Sequence, residues 1–214
     1  MLPVMKTNRL ILLAALVSAG GCFSLGRKEL PEQYYVLSAG SRPDNVERVG
    51  DSAGVAIGLR PLELASYLET PFIVVRRGTH QIDFSESRRW GEDLEQGINR
   101  AVAGYMAAGA PFLSIESAPW PLRAQHDYLI QLHILRFEGL APEGQGASGG
   151  EAHMLATWEI MDPQDGAPLA RGTTEYRQGG WTVGDYDGLV GLLDSGLRVL
   201  SEELVARLEA LGGR

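Results

Sequence analysis

Seven leucines near the end of the chain place the strongest constraint on its fold. Leu189, Leu193, Leu197, Leu200, Leu204, Leu208 and Leu211 advance by four, four, three, four, four and three residues, which on a helix of about 3.6 residues per turn puts them on one face. Charged residues lie off that face, Glu203 and Arg207 form an i,i+4 pair, and Gly212-Gly213 supplies the stop. A stripe of this kind needs an apolar surface to cover it. A coiled-coil seam or a partner would serve, but an amphipathic helix that follows a run of strands ordinarily covers their sheet. Gly188, Gly191 and Gly196 each cost the helix about 1 kcal/mol relative to alanine, which predicts close approach to that sheet.

The preceding chain reads as strands. Tyr34-Tyr35-Val36-Leu37-Ser38 is aromatic and β-branched and is closed by Gly40 and Pro43. Val55, Ile57 and Leu59 alternate with Ala56, Gly58 and Arg60 up to Pro61, the period-two pattern of a half-buried strand. Phe72-Ile73-Val74-Val75-Arg76-Arg77 turns at Gly78 into residues 79–84, predicting a hairpin. The longest strand is expected over residues 127–138. Tyr128, Ile130, Leu132, Ile134 and Arg136 occupy one of its faces, with Leu129, Leu135 and Phe137 on the other. Apolar residues on both faces predict a central position. Residues 139–150 hold five glycines and no aromatic, the composition of a linker, so the strand over 152–160 is expected to close a hairpin with a flexible tip. After the tight turn Asp162-Pro163-Gln164-Asp165-Gly166, residues 169–177 return as a further strand.

Between these runs, Trp90, Leu94, Ile98, Val102 and Met106 recur every four residues. The spacing predicts a helix capped at Ser85 or Ser87 and ended by Gly109 and Pro111. Residues 112–115 suit a short strand, and Pro119 and Pro121 stiffen a turn around Trp120. The expected fold class is α+β, a largely antiparallel β-sheet covered by two amphipathic helices.

The N-terminus carries a different message. Lys6 and Arg9 precede an apolar run over residues 10–17, and Ser18-Ala19-Gly20-Gly21 leads to Cys22, the only cysteine. Basic, apolar and small-residue regions in that order define an export signal, and the apolar run is too short to cross about 30 Å of hydrocarbon. Ala19-Gly20-Gly21-Cys22 resembles a bacterial lipobox, which implies cleavage before Cys22 and acylation of its sulfur. The expected organisation is a signal peptide over 1–21, a lipidated tether over 22–32 and a single domain over 33–212. Removing residues 1–21 leaves 17 basic against 27 acidic side chains, a net charge of −10. A body this acidic is not drawn to nucleic acid or anionic headgroups. Membrane attachment must come from the lipid, and several acyl chains at about 0.8 kcal/mol per methylene hold firmly.

No catalytic pattern emerges from the remainder. His80, His126, His133 and His153 show no metal-ligand spacing, and Ser114, Ser117 and Ser195 lie in no nucleophile elbow. The glycines of residues 139–150 lack the lysine and hydroxyl that complete a phosphate loop. Neither cofactor nor metal is expected. Arg88, Arg89 and Trp90 are the most suggestive exposed-type cluster, since arginine and tryptophan are favoured interface anchors. The competing reading places Trp90 in the core with the arginines solvated.

Taken in order, the lipobox, Tyr34-Tyr35-Val36-Leu37-Ser38, the strand ending near Pro61, Tyr67-Leu68 with Pro71, Ile73-Val74-Val75-Arg76, and Trp90 with Glu92 and Leu94 resemble one family. So do Asp127-Tyr128, Phe137-Glu138, the Trp158 strand and the terminal leucine helix. The family is that of the PqiC-like, or ABC-type transport auxiliary, lipoproteins. Relatives more often carry alanine and proline where this chain has Gly91 and Asp93. The resemblance implies a non-enzymatic component of an Mce-type lipid transport system, with an Mce-domain protein and an ABC permease and ATPase as partners. The absence of aspartate after Cys22 implies sorting to the outer membrane, with the body facing the periplasm. Homo-oligomer formation is left open. A lipid-anchored envelope scaffold, or a lipid-anchored hydrolase with a site assembled from distant residues, are the competing expectations.

Overall fold

The computed structural model describes residues 31–38, 54–121, 124–143 and 149–212. In chain order these form β1 (Gln33–Tyr35), β2 (Ala56–Leu59), β3 (Glu63–Leu64), a 3-10 turn (Ser66–Leu68), β4 (Phe72–Arg77) and β5 (Gln81–Trp90). Next come α1 (Leu94–Gly109), β6 (Ser114–Ser117), β7 (Tyr128–Ala141), β8 (Gly149–Met161), β9 (Pro168–Thr182) and α2 (Tyr186–Gly212).

The long strand β7 is the spine. One edge pairs antiparallel with β8 from Leu129↔Met161 to Leu140↔Glu151, and β8 pairs antiparallel with β9. Three short parallel strands tile the other edge end to end. Ile57 of β2 stands opposite Tyr128, Glu63 of β3 opposite His133, and Val75 of β4 opposite Gly139. Outward from there, β5 is antiparallel to β4, β1 is parallel to β5, and β6 is parallel to β2. The class is α+β and the sheet is mixed. The three hairpins β4–β5, β7–β8 and β8–β9 make its antiparallel part, and chain crossovers make its parallel part, as strand geometry requires.

The leucine stripe does what its period demands. The six leucines from Leu189 to Leu208 are at most 3 % exposed, and Leu211 packs partly buried at the end. Helix α2 lies on β8 and β9 and against α1. Of the three helix glycines, only Gly196 meets the sheet: a Cβ there would stand 2.9 Å from the Tyr176 ring. On the covered face Leu132, Trp158 and Gly172 share one register row. The Trp158 ring occupies the space a Gly172 side chain would need, 2.1 Å from a Cβ. Its Nε1 donates to Thr174 Oγ1 at 3.1 Å, and that hydroxyl donates to Glu203 Oε2 of α2 at 2.5 Å.

Four expectations change in detail. The ladder shifts between Ile134 and Arg136, so one extra residue turns Phe137 onto the face of Ile130, Leu132 and Ile134. Residues 139–150 are not all linker, because β7 runs to Ala141 and β8 begins at Gly149. Gly139 and Gly150 are strand residues crossed by the Trp181 ring, which would lie 2.6 and 2.5 Å from their Cβ atoms. Strand β2, flanked by β7 and β6, is buried on both faces. Helix α1 begins at Leu94 rather than after Ser85 or Ser87, and Trp90 closes β5. Asp93 provides the cap: its Oδ1 accepts from the amides of Glu95 at 3.0 Å and Gln96 at 3.3 Å.

Candidate functional site

Where β5 ends, the chain makes the wall of a cleft. The Trp90 amide donates to Pro71 O at 2.8 Å, and the Gly91 amide donates to Tyr35 O at 2.8 Å. The Trp90 ring is 6 % exposed, and its centroid lies 5.9 Å from that of Phe137. Opposite stands the segment that carries β3 and the 3-10 turn. Between them opens a cleft of about 670 Å³. Leu62, Leu64, Leu68, Pro71, Trp90 and Leu94 provide its apolar lining, while Glu63, Glu69, Glu92, Asp93 and Glu95 supply five carboxylates and no basic residue joins them.

Three of those carboxylates have work inside the chain. Glu92 accepts from Arg100, Asp93 caps α1, and Glu63 lies 3.2 Å from His133 Nδ1. Among the described residues, no hydrogen bond or ion pair involves the side chain of Glu69 or Glu95. The apolar surface also continues past Gly91, where a Cβ would meet Val36 Cγ1 at 3.0 Å and Tyr34 Cβ at 3.7 Å. Tyr34 and Val36 are 62 % and 59 % exposed. Since β1 alternates, Tyr35 and Leu37 turn inward; Leu37 is 2 % exposed. Beyond it, Arg100 Nη2 donates to Leu37 O at 3.3 Å, while Ser38 and Tyr105 hydroxyls both donate to the Asp194 carboxylate. These bonds fasten the start of the domain to both helices.

The cluster singled out in the sequence is divided by this geometry. Trp90 enters the core and lines the cleft. Arg89 pairs with Glu32 at 2.9 Å and stands 4.7 Å above the Phe72 ring. Arg88 lies 5.8 Å from the centroid of Tyr186 and bonds Ser87 Oγ at 2.9 Å. Both arginines are therefore engaged in holding β1 and α2 to β5. Cys22 lies outside the described residues. Glu69 and Glu95 were not singled out in the sequence because neither carries a local motif; the acidic run of Glu92, Asp93 and Glu95 is a signal that could have pointed to Glu95, and nothing local marks Glu69.

A second cluster sits on the sheet face away from α2. Glu138, wholly buried, accepts two bonds from Arg76 and one at 2.9 Å from Arg136. Burial alone would push this carboxyl up, but hydrogen bonds from Arg76, Tyr67 and Arg136 outweigh it and hold the group below its usual value. Tyr67 is pushed up to about 12, first by burial and then by the Glu138 charge. A carboxylate held ionised by two guanidiniums is a structural clamp and a poor proton donor or acceptor near neutrality. No group of three or more potential ligands is placed to hold a metal ion among the described residues. No helix among them is long and apolar enough to cross a membrane.

The family model for the ABC-type transport auxiliary lipoprotein component matches residues 35–205. The chain belongs to this family. The match begins within β1 and ends within α2, so it spans every residue that lines the cleft. Among solved structures, a Xanthomonas campestris protein is similar at 14% identity and a TM-score of 0.64, over 86% of this chain and 95% of that one. A second, described only as an uncharacterized protein, is similar at 14% identity and a TM-score of 0.59, over 84% and 99% of the two chains. At such identities the likeness is one of fold. No curated protein matches. The family is one of auxiliary transport components rather than of known enzymes, and a lipoprotein family places its members in the membrane-anchored part of the envelope.

Proposed function

We propose that this auxiliary lipoprotein is the lipid-anchored periplasmic component of an Mce/Pqi-type intermembrane lipid transport system, docking the conduit at the outer membrane without catalysis of its own. The observation that carries the reading is the order of parts: a lipobox ending at Cys22 stands immediately before a domain of the transport auxiliary family over residues 35–205. In this organisation residues 1–21 direct export, 22–32 tether and 33–212 dock. The missing aspartate after Cys22 favours outer-membrane sorting. The net charge of −10 on the mature chain favours a lipid anchor over a basic membrane-binding face. Arg88, Arg89 and Trp90 enter the proposal through Trp90, the wall of the cleft, with the two arginines flanking it on β5.

The test is affinity purification of the native lipidated protein after crosslinking in cells. An Mce-domain protein and its permease and ATPase are expected to copurify, and the protein is expected in the outer-membrane fraction. Repeated recovery without any Mce-domain protein would overturn the reading.

A further inference from the structure

We infer that the cleft beside Trp90 is a docking groove for a partner-protein segment in which lysine or arginine flanks an aliphatic or aromatic anchor. Shape and charge coincide in this cleft. A cleft of about 670 Å³ is of the size that accepts a few side chains. Its floor is apolar, and at Gly91 it runs on into the exposed side chains of Tyr34 and Val36. An apolar strip with a wholly acidic rim is complementary to a segment of alternating apolar and basic character.

The state of the rim separates this occupant from others. Glu69 and Glu95 have no ion-pair partner among the described residues, whereas Glu92 and Glu63 in the same lining stand against Arg100 and His133. A cation brought between them gains attraction that the fold itself leaves unused. A phosphate headgroup would meet five carboxylates instead, and the amides at the start of α1 that could attract it are already capped by Asp93. This deepens the docking reading by giving the partner's chemistry, and rests on that reading only for which protein supplies the segment.

The experiment uses the lipidated mature protein in detergent and a short fluorescein-labelled peptide of alternating lysine and leucine, followed by anisotropy. Binding is expected, with none to the twin peptide carrying glutamate for lysine, and it should weaken as salt rises and the Debye length shortens from about 10 to about 3 Å. The double variant Glu69→Gln with Glu95→Gln is expected to weaken binding roughly tenfold, and Val36→Ser, at an exposed site, several-fold. The matched double variant Asp187→Asn with Glu209→Gln, two exposed carboxylates of α2 that also lack an ion-pair partner among the described residues, should bind as the parent does. Equal weakening by both double variants would show attraction to net charge alone and overturn the groove. Self-association of the parent that Glu69→Gln with Glu95→Gln abolishes would assign the groove to a second copy, and also overturn it. If the cleft variants keep full crosslinking to an Mce-domain protein in cells, the groove fails while the docking reading stands. If the parent never crosslinks to one yet binds the basic peptide through Glu69 and Glu95, the docking reading fails and the groove stands.

Discussion

Arg76 grips Glu138 with two parallel hydrogen bonds, Nε to Oε1 at 2.6 Å and Nη2 to Oε2 at 3.1 Å, and so locks β4 to β7 across a parallel pairing only three residues long. The carboxylate is 0 % exposed and the arginine side chain 16 %. Removing one member of such a pair leaves a desolvated charge behind. Glu138→Ala is therefore expected to cost about 3–5 kcal/mol in urea unfolding. A loss below about 1 kcal/mol would mean that water reaches Arg76 and the clamp is weak. The pH dependence has a definite sign: the folded carboxyl lies below its ordinary value, so its stabilisation is complete above the unfolded pKa of about 4.3 and is lost as pH falls through the folded value. Below about pH 4 the parent should lose stability more steeply than Glu138→Gln.

Gly172 and Gly191 should respond to alanine in opposite directions. At Gly172 the added methyl meets the Trp158 ring at 2.1 Å, and forcing that core contact apart is expected to cost about 1–3 kcal/mol and to shift tryptophan emission. At exposed Gly191 nothing lies within 4 Å of the new Cβ, so Gly191→Ala should stabilise α2 by about 0.5–1 kcal/mol. Chemical denaturation of both variants decides the matter.

His153 should give the protein an acid slope above that of its carboxylates. Burial lowers its pKa first, Arg177 adds to that, and Glu175 opposes both. The folded value is thus depressed, so stability is complete above the unfolded pKa of about 6.5 and declines as pH falls from there toward the folded value. Thermal unfolding followed from about pH 8 to 5 should show this decline in the parent and a flatter curve in His153→Gln. Identical slopes would remove His153 as the cause.

Cys22→Ala tests the anchor apart from the domain. The variant is expected to lose acyl labelling and to leave the membrane fraction, with the unfolding midpoint of the domain unchanged. Continued labelling would refute acylation at this residue.

Much of the fold was legible where neighbours in sequence are neighbours in space. The leucine stripe of α2 and the β4–β5 hairpin needed only local period and turn residues, and the order of such segments carried the family resemblance. Trp90 shows the limit of this reasoning. Its spacing from Leu94 fits a helical face, yet Trp90 ends a strand and Asp93 starts the helix, because a buried strand end and a buried helix start both call for apolar residues. The extra residue at Leu135 likewise reverses the face of Phe137 with no mark in the alternation before it.

The sequence by itself determined the α+β class and the apolar face of the last helix, since each follows from periodicity along short stretches. Only the tertiary structure decided that β2, β3 and β4 share one edge of β7, that Arg76 meets Glu138, and that Glu69 and Glu95 face the same cleft. Those relationships join residues far apart in the chain, and they exist only once long loops have closed and the sheet has fixed its register.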